Sequence, residues 1–409
     1  MKRKNDTLEL ILLGVGILLL LLLFVVKRRL DAPEETATAE SRTETMEGKK
    51  QEETIQNMEQ ENAAFLNSKK EEQKETTAAG PVQIRVLLTD CGKLGYAQKQ
   101  VSLRGNASLS MNDGAYIASP QETICVTEQE CGEVVHVVPA DETAGTAVSL
   151  TGKPEDETVY PGSFVIYKSE EGLLVVNELD LEMYLRYVVP SEMPSSYEKE
   201  ALKAQAVCAR TYAWKQMQEG RFSEYGADVD DSVSCQVYQN IAPQEASSRA
   251  VEETKGKIIC QDGQPVEAYY FSTSMGYTDT AEIWNVDDPS SYGYLKKACL
   301  NQADADIDLS DETAFSKYIK SSADGYDSDI RYYRWFATAD LSDKTETVNE
   351  ILAARHSISP KNVLYYESDG TTEMDVAAAG EKMGAITGMS VEARSSSGSI
   401  LTLDLTYEC

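Results

Sequence analysis

One acid stands in a constrained setting. Residues 188–195 read VVPSEMPS, so Glu192 lies between Pro190 and Pro194 and beside Val188, Val189 and Met193. Each proline fixes its own φ and restricts the residue before it, which predicts a carboxylate on a stiff loop. Apolar neighbours favour the protonated carboxyl. A carboxyl that holds its proton near neutral pH is what general-acid cleavage of a glycosidic bond requires. Most glutamates are solvated surface groups, and on the residues alone both readings stand. Other chemistries find less support. The chain has 2 histidines, His136 and His356, too far apart in sequence to build a Ser/His/Asp or Cys/His set or a zinc cluster of recognisable spacing. Asp228, Asp230 and Asp231 are clustered, but a solvated acidic turn accounts for them as well as a two-metal site does. Among 8 cysteines there is no CxxC. Cys125 and Cys131 flank a short polar turn where they could pair in an oxidising space, and Cys208 reads as a packed thiol. No metal or cofactor is expected.

Two elements must position the acid. A short amphipathic segment leads into the loop from residue 180, and a helix follows it. Ser195 with Glu198 predicts a capping box at that helix's start, and Gly220 its stop. Leu202, Ala206, Ala209 and Ala213 then share one face whose small side chains let a neighbour approach closely, so the helix is expected to be buried. Arg210 lies within it. Lys203, one heptad back, cannot be its partner, which leaves a guanidinium that snorkels to the surface or one aimed at the preceding loop or an anionic ligand.

Upstream, VQIRVLLT at 82–89 and candidate strands near 101–112, 122–127, 133–138, 146–151 and 163–177, broken by Gly, Asn and Asp turns, predict a β-rich region. Downstream, a helix near 245–255 ended by Gly256 precedes strands at 257–260 and 266–271. The hydroxyl-rich FSTSMGYTDTAEIWN (271–285) follows as a loop able to line a pocket. A helix near 311–320, a strand at 331–338, a helix around 341–356 and closing strands at 385–394 and 399–407 complete the pattern. The fold class is α+β: a β-rich N-terminal part, then a buried central helix with mixed sheet.

The 409 residues carry a formal charge of −30, which disfavours nucleic acid and anionic lipid headgroups as main partners. An apolar run from Leu10 to Val26, closed by Lys27-Arg28-Arg29 and followed by no small-x-small cleavage site, predicts an uncleaved signal anchor. Residues 8–29 would cross the cell membrane once, leaving the acidic C-terminal part extracytoplasmic. Residues 31–80, rich in Glu, Thr, Lys and Gln and poor in aromatics, predict a disordered stalk. The expected organisation is thus a cytoplasmic tip and transmembrane anchor (1–30), the stalk (31–80), the β-rich region (81–172) and a core (173–409).

The stretch YLRYVVPSEMPSSYEKEALKAQAVCARTYA (184–213) resembles the signature of the stage II sporulation protein D / LytB family. The later CQVYQN, AYYFSTSMGYTDTAEIWN, YLK and the segment around Trp335 fall in the family's order. The resemblance covers about residues 82–409. It implies a lytic transglycosylase that cleaves peptide-free peptidoglycan glycan strands to 1,6-anhydro ends during sporulation engulfment. Its partners would be those strands and other engulfment proteins such as a peptidoglycan amidase. Glu192 matches the family's catalytic acid. Arg210, and by a looser alignment Tyr294 and Lys296, match positions tied to its active site as substrate-binding or acid-orienting groups. Ser272, Thr273 and Ser274 are candidate groove hydroxyls. The LytB side of the family implies the rival reading, a non-catalytic wall-binding or amidase-enhancing module in a membrane-bound complex. Where some members bind zinc through a Cys and a His, this sequence has Val229 and Ser234, so no such site is expected. Where relatives carry Gly-Gly, it has Met275-Gly276. The family usually continues into a Gly-His-Gly-rich segment, and the chain ends at Cys409, so a fragment, or a core lacking that segment, is expected.

Overall fold

The computed structural model describes residues 81–408 apart from 90–95, 142–144, 151–157, 239–240, 285, 287, 301–306, 322–324, 332, 339–343, 368–369, 371, 376–378 and 380–383. The expected anchor at 8–29, the stalk, Cys91 and Cys409 lie outside the described residues. Among the described residues no helix is long and apolar enough to cross a membrane.

The β-rich expectation resolves into ten strands. They are β1 (Gln83–Leu87), β2 (Gln100–Gly105), β3 (Leu109–Met111), β4 (Tyr116–Ala118), β5 (Thr123–Thr127), β6 (Val134–Pro139), β7 (Thr146–Ser149), β8 (Thr158–Tyr160), β9 (Ser163–Lys168) and β10 (Leu173–Asp180). Alternation decides which side chains face inward. In β6 the residues Val135, Val137 and Pro139 are buried while Val134, His136 and Val138 are exposed. With β11 (Val229–Asp230), these strands build a seven-stranded sheet in the order β11-β1-β10-β9-β6-β3-β4 and a four-stranded sheet β5-β2-β7-β8. One apolar cluster joins the sheets: Val101, Leu103 and Val126 from the smaller meet Val137, Phe164 and Ile166 from the larger. The larger sheet takes strands from both sides of residue 172, because the β9–β10 hairpin pairs Leu173 with Lys168. All its ladders are antiparallel except β1 with β11, which sets Val86 beside Val229 and Leu87 beside Asp230.

Helices α1 (Leu181–Glu192) and α2 (Lys199–Glu219) lie on this sheet, and α3 (Glu245–Glu253) packs on both of them. α1 starts where Asp180 Oδ1 accepts from the backbone N–H of Glu182 and Met183. α2 differs from expectation at its start. Its N-cap is Glu198, without a side-chain cap, so there is no Ser195/Glu198 box; the Ser195 hydroxyl instead donates to Ser247 Oγ on α3 at 3.3 Å. It stops at Gly220, whose φ of 63° is the left-handed conformation glycine adopts at least cost. Leu202, Ala206, Ala209 and Ala213 are all buried, so the small-residue face packs as the sequence implies.

Beyond α3 the structure departs further. In place of strands at 257–260 and 266–271 there is only a minimal hairpin, β12 (Cys260–Gln261) with β13 (Gln264–Pro265), and residues 266–271 belong to no strand. The described residues of 331–338 form no strand either. Their aromatic content mimics β-propensity, but Phe336 is 93 % exposed and Arg334 lies over the Tyr318 ring at 4.5 Å. Helices α4 (Glu312–Ile319) and α5 (Thr345–Ile358), the short pair β14 (Tyr365–Tyr366) and β15 (Glu373–Met374), and the long hairpin β16 (Ile386–Arg394) and β17 (Ile400–Tyr407) follow. The tip of that hairpin is docked: the Ser397 hydroxyl donates to Thr278 O, and the Ser395 hydroxyl to Asp279 Oδ2.

Candidate functional site

Glu192 is the last residue of α1, not a loop residue. Both prolines still explain its place. Pro194 pushes Met193 into extended backbone (φ −135°, ψ 127°), which ends the helix immediately after the acid. Pro190 lies inside the last turn and offers no N–H there, while the Ser191 hydroxyl donates to Tyr187 O at 2.7 Å and braces the same turn.

The carboxyl is half-buried, and desolvation raises its pKa above the ordinary glutamate value. Two donors oppose that rise. The backbone N–H of Val237 donates to Glu192 Oε1 at 2.7 Å, and the Tyr270 hydroxyl hydrogen-bonds the same carboxyl. Tyr270 is itself oriented. Gln236 Nε2 donates to its oxygen at 3.0 Å, which leaves the phenolic proton for Glu192. Gln236 is fixed in turn, its Nε2 donating to Ala209 O and its Oε1 accepting from the buried Tyr184 hydroxyl. Burial and the adjacent Glu192 raise the Tyr270 pKa, so the phenol stays a donor across the neutral range. The result is a chain of hydrogen bonds from the core, Tyr184 to Gln236 to Tyr270, that terminates on one carboxyl (with the Val237 amide as its second anchor).

The segment carrying Gln236 and Val237 is pinned by the three aspartates. They do not form a solvated acidic turn: Asp228, Asp230 and Asp231 are all buried. Asp228 accepts from the N–H and guanidinium of Arg85 on β1, Asp230 from the Tyr96 hydroxyl and Ser232, and Asp231 from Thr89 N–H and Oγ1 at 3.0 and 2.6 Å. Tyr238 N–H then donates to Asp231 O. Among the described residues no group of three or more His, Cys, Asp or Glu could hold a metal ion. Val229, one of the two expected departures, is a fully buried core residue of β11. Cys125 and Cys131 are free thiols, the first exposed and the second buried, so they do not pair; burial pushes up the pKa of the half-buried Cys208.

Arg210 is 1 % exposed and does not snorkel. Its Nε and Nη2 donate to the two oxygens of Glu182 at 2.8 and 2.7 Å, and its remaining donors reach Val251 O, Lys257 O, Ala206 O and Thr254 Oγ1. Glu182 opens α1 and Glu192 closes it, about 15 Å apart at the helical rise. In this arrangement Arg210 clamps α1, α2 and the end of α3 together, and it engages Glu182 at the start of α1 rather than Glu192 at its end.

The other sequence candidates take separate places. The Tyr294 hydroxyl accepts from the backbone N–H of Glu267, close to Lys215 on α2, and Lys296 is exposed. Ser274 is buried and donates from N–H and Oγ to Asp327, so it holds the loop rather than lining a groove; Thr273 is half-buried and Ser272 exposed. Tyr270, Gln236, Tyr184 and the Val237 amide went unsingled in the sequence. Their signal was present in the AYYFSTS and CQVY words, but their convergence on Glu192 is tertiary.

Comparison with known proteins gives a consistent picture. Residues 169–260 match the family model described as Stage II sporulation protein. The chain is similar to stage II sporulation protein D of Bacillus amyloliquefaciens, 34 % identical over 183 residues, covering 41 % of this chain and 52 % of the relative. The protein of the same name from Bacillus subtilis (strain 168) is 35 % identical over 173 residues, 39 % of this chain and 49 % of the relative. An amidase enhancer of Bacillus subtilis (strain 168) is 36 % identical over 165 residues, 40 % of this chain and 21 % of that protein. The chain thus spans about half the length of the sporulation relatives it matches.

Proposed function

We propose, from the premise that residues 169–260 belong to the stage II sporulation protein D / LytB family, that the chain is a peptidoglycan lytic transglycosylase with Glu192 as its single acid. The observation that carries the reading is the Glu192 carboxyl, held by two donors at a helix end with its pKa raised by desolvation. Burial favours the protonated form needed at the start of the reaction. The Val237 amide and the Tyr270 hydroxyl favour the carboxylate formed once the proton has left.

Glu192 donates its proton to the glycosidic oxygen as the C1–O bond of N-acetylmuramic acid breaks. The carboxylate then accepts the proton of that sugar's own 6-hydroxyl as O6 bonds to C1. The products are a 1,6-anhydro ring and a free 4-hydroxyl on the departing strand. Water is not consumed, and one carboxyl serves both transfers, unlike the paired acids of hydrolysing glycosidases. Tyr270 and Gln236 act as positioning residues that keep the carboxyl aimed through both steps.

The substrate is placed outside the cytoplasm, with residues 8–29 as the anchor, 31–80 as a stalk that gives reach into the wall, and sporulation engulfment as the setting. The likeness to an amidase enhancer favours a second reading, in which the same domain binds wall glycan and assists an amidase without cutting. Mass spectrometry of peptide-free glycan strands treated with the protein separates the two. New anhydro ends that vanish in Glu192→Gln support the enzyme. Binding with no new ends, or release undiminished by Glu192→Gln, overturns it.

A further inference from the structure

We propose that Tyr269 and Trp284 form a stacking platform for a neutral N-acetylhexosamine unit of the glycan strand, reached from Glu192 across Tyr270. The two rings lie 5.2 Å apart between centroids and are tilted by 36°, yet they remain 44 % and 56 % exposed. Single exposed aromatics are ordinary. Two large rings in contact and both open to solvent leave apolar surface that a ligand can cover. Phe271, 59 % exposed, extends the apolar character of this segment.

The platform is rigid from beneath. Tyr212, only 7 % exposed on α2, sits 6.4 Å from Tyr269, and its hydroxyl hydrogen-bonds the Cys235 thiol beside Gln236. Trp284 ends a 3₁₀ turn (Ala281–Trp284) anchored by the buried Ala281. The platform is therefore tied to the groups that hold the acid through two routes, the Tyr269–Tyr270 backbone and the Tyr212–Cys235–Gln236 contacts. This proposal rests on the glycan reading of Glu192.

The chemistry selects the occupant. A hexopyranose presents an apolar face of axial C–H groups, partly positive, which suits the negative face of an aromatic ring. Its hydroxyl and acetamido N–H groups are donors. The nearby carboxylates of Glu219, half-exposed beside Lys215, and of Glu282 on the 3₁₀ turn are acceptors. Glu219 is ion-paired with Lys215 at 3.1 Å, so it is the two rings and these acceptors, rather than repulsion of a lactyl carboxylate, that suit the seat to neutral N-acetylglucosamine.

The test is calorimetric titration of the full chain carrying Glu192→Gln with a chito-oligosaccharide, a neutral polymer of that sugar. We expect binding that Trp284→Ala and Tyr269→Ala each weaken by about tenfold, the scale of one lost ring contact, while Trp284→Phe retains most of it. Far-UV circular dichroism should be unchanged, since both side chains are on the surface. Affinity of both alanine variants within about twofold of the parent overturns the platform, and so does a parent that does not bind. The catalytic role of Glu192 stands or falls by a different measurement. Anhydro ends with platform-independent binding sink the platform alone, whereas platform-dependent binding without anhydro ends sinks the acid's role alone.

Discussion

At the scale of single residues, the function proposed turns on how one carboxyl is held. Glu192 has two donors, and each can be addressed. Tyr270→Phe removes the hydroxyl that lowers the acid's pKa, so the pKa rises further and the alkaline limb of the activity profile moves to higher pH. The same change leaves one Gln236 N–H without its acceptor and costs about 1 kcal/mol of stability, readable by urea unfolding. A profile that stays put would mean that Tyr270 does not touch the working acid. Glu192→Gln keeps shape and relieves burial of charge, so it should melt at or above the parent's temperature while losing at least about 100-fold in rate of anhydro-end release. The sequence showed this acid through its prolines. It did not show the helix end, because a proline in the last turn reads as a helix breaker although the first turns of α1 are secured by the Asp180 cap. Nor could it show Tyr270, which lies 78 positions away by sequence number in a stretch whose pattern predicts a strand.

At the scale of elements, the helix pair α1 and α2 is the mount for that acid, and Arg210 is its fastening. Arg210→Ala would leave the half-buried Glu182 without its cation and should cost about 3 kcal/mol, measured by thermal or denaturant unfolding. Arg210→Lys should recover only part of this, since a lysine cannot reproduce the two-pronged contact with Glu182. A sugar-contacting role would instead give a folded protein with weakened substrate binding, so the two measurements divide the readings. Much of this level was legible. The small-residue face of α2, its stop at Gly220 and α3 followed from spacing alone. The capping box failed because Pro194 and the turn after it delay the helix to Lys199. The pseudo-strands at 266–271 and 331–338 failed because their aromatic residues serve surfaces and ring contacts rather than a ladder.

At the scale of the whole molecule, buried acids set a pH dependence. Burial, more than the Asp230 charge, lifts the Asp231 carboxyl to about 7, and burial with the adjacent Glu219 raises Glu267 as well. Both prefer the proton in the folded state. Their contribution is full below the ordinary carboxylate range near about 4 and is lost as pH rises toward neutrality. The melting temperature should therefore fall between about pH 4 and pH 7. In Asp231→Asn, which cannot titrate, that fall should be shallower by about 4 °C or more, seen by differential scanning calorimetry. An unchanged slope would show that Asp231 does not carry the effect. The net charge of −30 is a separate matter, acting on partner choice rather than on fold.

The parallel contact of β1 with β11 has one more consequence. The stretch that carries the family's signature, residues 169–260, begins after both strands that flank β10 in the sheet. Cut out by itself, it would bare both edges of a strand with apolar residues on its two faces. It would also orphan β11, whose neighbour β1 joins it through Arg85 and Asp228, 143 positions apart. Open edges of that kind recruit other chains. The stretch that the family model matches is thus built on strands that lie outside it. The hallmark segment is a tenant of a sheet begun far upstream, and its solubility outside that sheet should be poor.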